Sequence, residues 1–378
     1  MLFNLFIYFF YINIFFYFLL ILWFILGILK SKSQVNSKPL DNHIKKNVSV
    51  IVCVKNEENI INNILDDLKS QIYDSNIEFI IVDDNSSDRT SEIIYNYVNI
   101  DKRFKYISSK DGQDSLYYKK RALDAGIKAS NYAYLLFTDA GCRIHKQWVQ
   151  SIMEQYNHEV DYVIGLSFVT NAQKIVTRFQ KIDLFMLMIS TLSSIKLNYP
   201  LASTGQNLSY KKDVFLSVNG FSKISNLLMG DDSIFMQLCI KYKSISIDIS
   251  QNPKSFVSSK KILQWKDLLL QRIRWAGDGI IMWKYNKLFY FIMLFTFFTN
   301  LFYIIILFSF HSSIFYILFL YSLKFLIEFS LYYLGSISIN SKVSILNFII
   351  WFFIQIPYVV FVSIASPFSS YLGWKSKS

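Results

Sequence analysis

Five acidic residues follow closely on three apolar runs: Glu57 and Glu58 after residues 48 to 54 (VSVIVCV), Asp83 and Asp84 after residues 79 to 82 (FIIV), and Asp139 after residues 132 to 137 (YAYLLF). Short, nearly continuous apolar runs are expected to be strands covered on both faces of a parallel sheet. Ligands of an open, doubly wound sheet bind at the carboxyl ends of its strands, so three strands would deliver carboxylates to one edge. Carboxylates there suit a ribose, a base edge or a divalent cation. Each alone is equally a turn former or a helix cap, and it is their convergence that points to a site. Other chemistries find no support. No G-x-G-x-x-G or G-x-x-x-x-G-K-[ST] follows a strand, and no G-x-S-x-G is present. Cys53, Cys142 and Cys239 are odd in number and widely separated, and His43, His145, His158 and His311 lack ligand spacing, so neither a disulfide framework nor a zinc site is implied.

The elements that must position these carboxylates alternate. Helices are expected over Ile60 to Ser70, Asp88 to Val98, with Asp88 as a cap, and Lys119 to Ala129, with a weaker strand at Phe104 to Ile107. The order β-α-β-α-β-α-β describes an α/β domain within about residues 48 to 255.

The rest of the chain reads as membrane. Of 378 residues, 53% are hydrophobic and 18% aromatic, too apolar for an ordinary soluble protein of that size. Leu2 to Leu29 carries no charge and exceeds the roughly 20 residues needed to cross a bilayer; it lacks a signal peptide's cleavage site and is expected to be retained. Lys30, Lys32, Lys38, Lys45 and Lys46 follow it at once, which places the soluble domain in the cytoplasm by the positive-inside rule. Further spans are expected at Leu288 to Phe310, Ile314 to Leu334 and Ile345 to Ala365. Lys375 and Lys377 argue for an inside tail, and Pro357 with Pro367 would break the last segment into a re-entrant piece, so its topology stays open. Lys324 and Glu328, one helical turn apart, are expected to neutralise each other. The net charge of +12 is scattered and lies partly beside the hydrophobic segments, which fits an anionic membrane surface and not nucleic acid. Residues 261 to 287 combine Trp265, Leu268, Leu269 and Trp275 with Lys261, Lys266, Arg272 and Lys284, as does a helix lying in the headgroup plane.

Together these segments resemble family 2 glycosyltransferases, the inverting enzymes with a GT-A fold that include ceramide glucosyltransferases and polysaccharide synthases. VSVIVCVKNEENI is similar to that family's opening strand and nucleotide loop, FIIVDDNSSDRT to its second, KKRALDAGI to its Lys-containing helix and LLFTDAGC to its D-x-D strand; GQN at 205 to 207, GDD at 230 to 232 and QRIRW at 271 to 275 follow in the family's order. The resemblance implies an α/β GT-A domain flanked by transmembrane helices. Residues 1–30 would be the anchor, 31–255 the cytoplasmic catalytic domain, 256–287 amphipathic interfacial helices with Q-x-x-R-W, and 288–378 the C-terminal transmembrane helices and tail.

It also implies roles. Glu57 and Asp84 would hold the uridine-like part of a nucleotide-diphosphate sugar, with Asp83 and Lys119 nearby and Asp139 near the ribose and metal. Asp232 would be the base that takes the acceptor hydroxyl's proton, with Asp231 the second candidate. Arg274 and Gln271 would face the diphosphate, Trp275 would stack on a sugar, and Gly205, Gln206 and Asn207 would line the acceptor side. Gly141 stands where the family has the second D-x-D carboxylate, so dependence on Mg²⁺ or Mn²⁺ is expected to be weakened but not abolished.

The acceptor is then a lipid-linked hydroxyl, or a glycan if the chain is a processive polysaccharide synthase, for which four spans are few. A nucleotide-sugar-binding scaffold without activity is a reading of another class, motivated by Gly141. High use of Asn, Ile, Lys and Phe points to an AT-rich bacterial genome and hence to the inner membrane. Donor, acceptor and oligomeric state are not legible.

Overall fold

The computed structural model describes residues 2–34, 46–308 and 313–371. His43, His311, Lys38, Lys45, Lys375 and Lys377 lie outside them. The described chain divides into two compact units: a helical one drawn from Met1–Ser37, Asn171–Leu201 and Lys261–Gly373, and a sheet-containing one drawn from Lys38–Thr170 and Ala202–Lys260.

In chain order the strands are β1 (Val48–Val54), β2 (Ile77–Asp83), β3 (Phe104–Ser108), β4 (Tyr134–Asp139), β5 (Arg143–Ile144), β6 (Tyr162–Gly165), β7 (Ser167–Phe168), β8 (Leu208–Lys211), β9 (Ile247–Ser250) and β10 (Val257–Ser258). Seven form one sheet in the order β3-β2-β1-β4-β8-β6-β9, while β5, β10 and β7 form a small second sheet. The first four are parallel, as the apolar runs of β1, β2 and β4 imply. β8 runs antiparallel to both β4 and β6, so the sheet is mixed and not parallel throughout. Because β2 and β3 lie on one side of β1 and β4 on the other, the strand order reverses between β1 and β4, where ligands of such sheets bind.

Helices Ile61–Lys69, Thr90–Ile100 and Lys119–Ala129 make the crossovers. Asp88 sits two residues ahead of the second and accepts from the amides of Thr90 (3.0 Å) and Glu58 (3.1 Å), joining the loops after β1 and β2. The third helix lies so close to the sheet that a Cβ on Gly126 would come within 2.7 Å of Ile51 Cγ2 and 2.9 Å of Val82 Cγ2. Glycine is therefore required there, and the close approach sets Lys119, the helix's first residue, beside the ends of β1 and β4.

The helical unit contains Leu2–Gln34, Ile175–Lys196, Trp265–Ile281, Lys287–Leu307, Ile314–Ser338 and Ile345–Ala365. Four helices are long and apolar enough to cross a membrane: Tyr8–Ser31, Lys287–Leu307, Ile314–Ser338 and Ile345–Ser369. The last is not broken, since it continues through Pro357 to Ala365, and Pro367 falls in a short 3₁₀ turn beyond it. In a membrane helix packed among others, neighbouring groups can satisfy the carbonyl one turn earlier that proline leaves without a donor. Ile175–Lys196, within the stretch expected to be catalytic, packs on Leu2–Gln34, where Ser193 Oγ donates to the Phe24 carbonyl at 2.5 Å. Lys324 and Glu328 do pair, at 2.6 Å and fully buried; Glu328 also accepts from the Tyr17 hydroxyl and from Gln355 Nε2 at 3.3 Å, which ties three helices to one carboxylate.

Candidate active site

Lys119 is the centre of the group at the β1 and β4 ends. Its ammonium lies 2.8 Å from Asp139 Oδ1 and 3.3 Å from Asp231 Oδ2. Burial alone would lower its pKa, but Asp139 and Asp231 hold it well above the ordinary lysine value, so it stays charged. Asp232 is adjacent: its Oδ2 accepts from Gly205 N at 3.1 Å, and its Oδ1 accepts from Ser233 N, the first residue of helix Ser233–Lys243. Gly205 closes the group, because its Cβ position is 3.0 Å from Lys119 Nζ and within 3.7 Å of carboxylate oxygens of both Asp231 and Asp232. Burial, then the charge of Asp231, pushes the Asp232 carboxyl up to about 6. Cys53, on β1, is surrounded by the charges of Lys119, Asp231, Asp84 and Asp139, yet burial pushes its thiol up, as for a core residue and not a nucleophile.

The donor-side residues divide. Asp84 pairs with Lys55 at 3.6 Å, and Glu57 with Lys260 at 3.4 Å. Asp83 is buried and accepts from Ser86 N at 3.0 Å, Ser91 Oγ at 2.7 Å and Tyr106 Oη at 3.1 Å, bonds that shape the loop after β2. Asn207 is held within the protein. It has no exposed surface, accepts from Trp148 Nε1 at 3.0 Å and donates to the carbonyls of Leu166 and Ser255, each at 2.9 Å, so it fastens the loop and cannot reach an acceptor. Gln206 accepts from the Ser259 hydroxyl.

Sequence reading passed over Lys120. It is buried and donates to the carbonyls of Leu227 and, at 3.0 Å, Met229, the turn that leads into Gly230, Asp231 and Asp232. Consecutive lysines of one helix thus hold the GDD segment by its backbone and by its side chain. The helical phase separates the two roles, and a Lys-Lys pair in sequence does not reveal it.

Within the helical unit, Q-x-x-R-W lies on Trp265–Ile281. Arg272, grouped in sequence with headgroup-facing cations, is instead buried, donating Nε to Asp183 Oδ2 at 2.8 Å and Nη1 to Gln271 Oε1 at 3.1 Å. Its guanidinium carbon is 4.2 Å from the centroid of the Trp275 ring, so a cation covers part of the surface expected to meet a sugar. Burial keeps the Asp183 carboxyl raised despite Arg272. Arg274 is half-buried, and its Nε has no hydrogen-bond partner among the described residues. The two arginines should behave differently: Arg272→Ala should cost about 3–5 kcal/mol of stability by stranding Asp183, whereas Arg274→Ala should leave the melting midpoint in detergent nearly unchanged. Equal midpoints for both variants would refute the distinction.

Toward a divalent cation the described residues offer little. Asp139 is ion-paired with Lys119, position 141 has no side chain, and among the described residues no group of three His, Cys, Asp or Glu could hold a metal. This donor set does not fit a cation caged by the protein.

Comparison with known proteins agrees with the fold. The model of Glycosyl transferase family 2 matches residues 49–215, and that of Glycosyl transferase family group 2 matches residues 134–364. The poly-beta-1,6-N-acetyl-D-glucosamine synthase of Staphylococcus aureus (strain MSSA476) is 24% identical over 263 residues, 66% of this chain and 58% of that protein, so the chain spans less than two thirds of the relative's length. The structure of a mannosyltransferase from Pyrobaculum calidifontis in complex with GDP-Man and Mn²⁺ superposes with a TM-score of 0.54 at 14% identity, covering 91% of this chain and 94% of that one, which places both in the GT-A fold. With more than half of its residues matched, the chain belongs to Glycosyl transferase family group 2.

Proposed function

We propose that this chain transfers a sugar, with inversion, from a nucleotide diphosphate to an acceptor at a membrane surface, with Asp232 as the base. The carrying observation is the convergence of Lys119, Asp139, Asp231, Asp232 and Gly205 where β1 and β4 diverge. The acceptor oxygen attacks the anomeric carbon as the bond to the diphosphate breaks; the bonding pair leaves with the diphosphate, and the hydroxyl proton passes to Asp232. A carboxyl pushed up to about 6 suits that task near neutral pH, because it is ionised yet basic enough to accept a proton. Glu57 and Asp84 would receive the nucleoside. Four membrane-type helices and the lysines after the first support a multi-pass protein of a bacterial inner membrane with the sheet unit in the cytoplasm. A lipid-linked acceptor needs no transit through water in that setting.

The Staphylococcus relative favours a second reading, processive synthesis on a glycan acceptor. Purified full-length protein in detergent, offered UDP- and GDP-sugars with and without membrane lipid extract, tests both. We expect release of nucleoside diphosphate from one donor, raised by lipid extract, with short products; long polymer would select the second reading. Binding of a donor with no turnover would overturn both and leave a scaffold.

A further inference from the structure

The pairing of β10 with β5 is antiparallel, with Val257 opposite Ile144 and Ser258 opposite Arg143, so the same register carried on two residues sets Lys260 opposite Gly141. The backbone leading there is held by Val257 N to the Leu166 carbonyl (3.0 Å) and Ser259 N to the Phe168 carbonyl (2.9 Å), with the Ser259 hydroxyl on Gln206. A Cβ on Gly141 would stand 3.1 Å from Lys260 Cδ and 3.3 Å from Lys260 Cβ. The lysine stem therefore fills the space into which a side chain at 141 would grow. Its ammonium extends to Glu57, 3.4 Å from Oε2, at the end of β1, while its own side chain remains 57% exposed.

Charge explains the exchange. A carboxylate at 141 adds one negative charge and needs a divalent cation to bring a diphosphate near; glycine there avoids that charge, and the lysine beside it offsets Glu57 and sets an ammonium at the edge of the site with no cation added. We propose that Lys260 is a donor-binding residue whose ammonium neutralises the diphosphate of the nucleotide sugar, in the role that a metal held by a second carboxylate would otherwise fill. The inference rests on the glycosyl-transfer reading above. When the carbon–oxygen bond breaks, the bonding pair stays on the diphosphate, and Lys260 offsets that growing charge without giving up a proton. Glu57 orients the ammonium, which has three donors and can serve a carboxylate and a phosphate together.

The test is calorimetric titration of UDP and GDP into the full-length protein in detergent, in EDTA and in Mn²⁺. Wild type is expected to bind one of them with affinities within about 3-fold in the two conditions. Lys260→Ala is expected to weaken binding in EDTA about 10- to 100-fold, the loss of one charge-assisted hydrogen bond, and Lys260→Arg to retain it. Gly141→Asp combined with Lys260→Ala is expected to bind only when Mn²⁺ is present. Wild-type binding that vanishes in EDTA, or Lys260→Ala binding as wild type does, overturns the inference and leaves the transfer reading standing. No binding of either nucleotide to wild type in either condition overturns both.

Discussion

Asp232→Asn is expected to lower kcat about 10²- to 10⁴-fold, the range for loss of a general base, and to leave nucleoside diphosphate affinity close to wild type. Asparagine keeps the volume and one oxygen to accept from Gly205 N or Ser233 N, so the loop should hold while the proton acceptor is gone. The pH profile is the sharper readout. Wild-type kcat/KM should rise tenfold per pH unit and level off near the value of about 6 to which burial and Asp231 push this carboxyl. The sign follows from the ionised form being the active one: protonation below that value removes the base. The charged and titratable groups that face it are Asp231, Lys119 and Tyr162. Asp231→Asn should therefore move the inflection down, since it removes the neighbouring negative charge, whereas Asp232→Asn should erase it. An unaltered rate in Asp232→Asn would leave Asp231 as the base to examine.

Lys119→Met should be the most damaging change in the sheet unit. Methionine keeps the stem but strips the ammonium from between Asp139 and Asp231, which then face each other with no cation 2.8 and 3.3 Å away. Removing one partner from a buried charge group costs about 3 kcal/mol or more, which for a unit of this size is a fall of about 6–12 °C in the melting midpoint. Stability from this lysine is present throughout the acid and neutral range and is lost only as pH rises through its raised folded pKa, so the deficit should be as large at pH 6 as at pH 8. Thermal unfolding in detergent at both pH values measures it. A midpoint within about 2 °C of wild type would mean that solvent already screens the three groups.

β1, β2 and β4 were legible because strands buried on both faces are continuous apolar runs, β3 (FKYIS) only weakly because its residues alternate and most are half-buried, and the helices between them because their apolar positions recur on one face. β6, β8 and β9 were not: four-residue segments such as LSYK and IDIS carry no period to read, and with them went the antiparallel half of the sheet. Ile175–Lys196 escaped for the opposite reason. Buried around most of its circumference, it has no polar face to mark its partner, and Arg178, Lys181 and Asp183 make it look soluble. At the site, carboxylates at strand ends announced themselves by position. What a polar group is occupied with did not, since Asp83 and Asp84 are neighbours in sequence, yet one is consumed by Ser86, Ser91 and Tyr106 and the other keeps an ion pair with Lys55. Arg272 and Arg274 show the same divergence two residues apart on a helix, which turns side chains about 200° away from each other. The placement of the Lys260 stem against Gly141 follows a strand of only two residues, too short to leave a pattern in sequence.

The excursion of the polypeptide through Ile175–Lys196 has a practical sequel for anyone preparing fragments. β8 and β9 are synthesised only after that helix, so the seven-stranded sheet cannot be completed until a segment belonging to the helical unit has been made. A fragment cut to residues 46–260 would keep this helix but lose Leu2–Gln34 and Ile345–Ala365, which cover it, and would expose Phe179, Ile182, Ile189 and Leu192 to water. Such a fragment should aggregate, and a soluble version would need the loop from 171 to 201 replaced by a short polar linker.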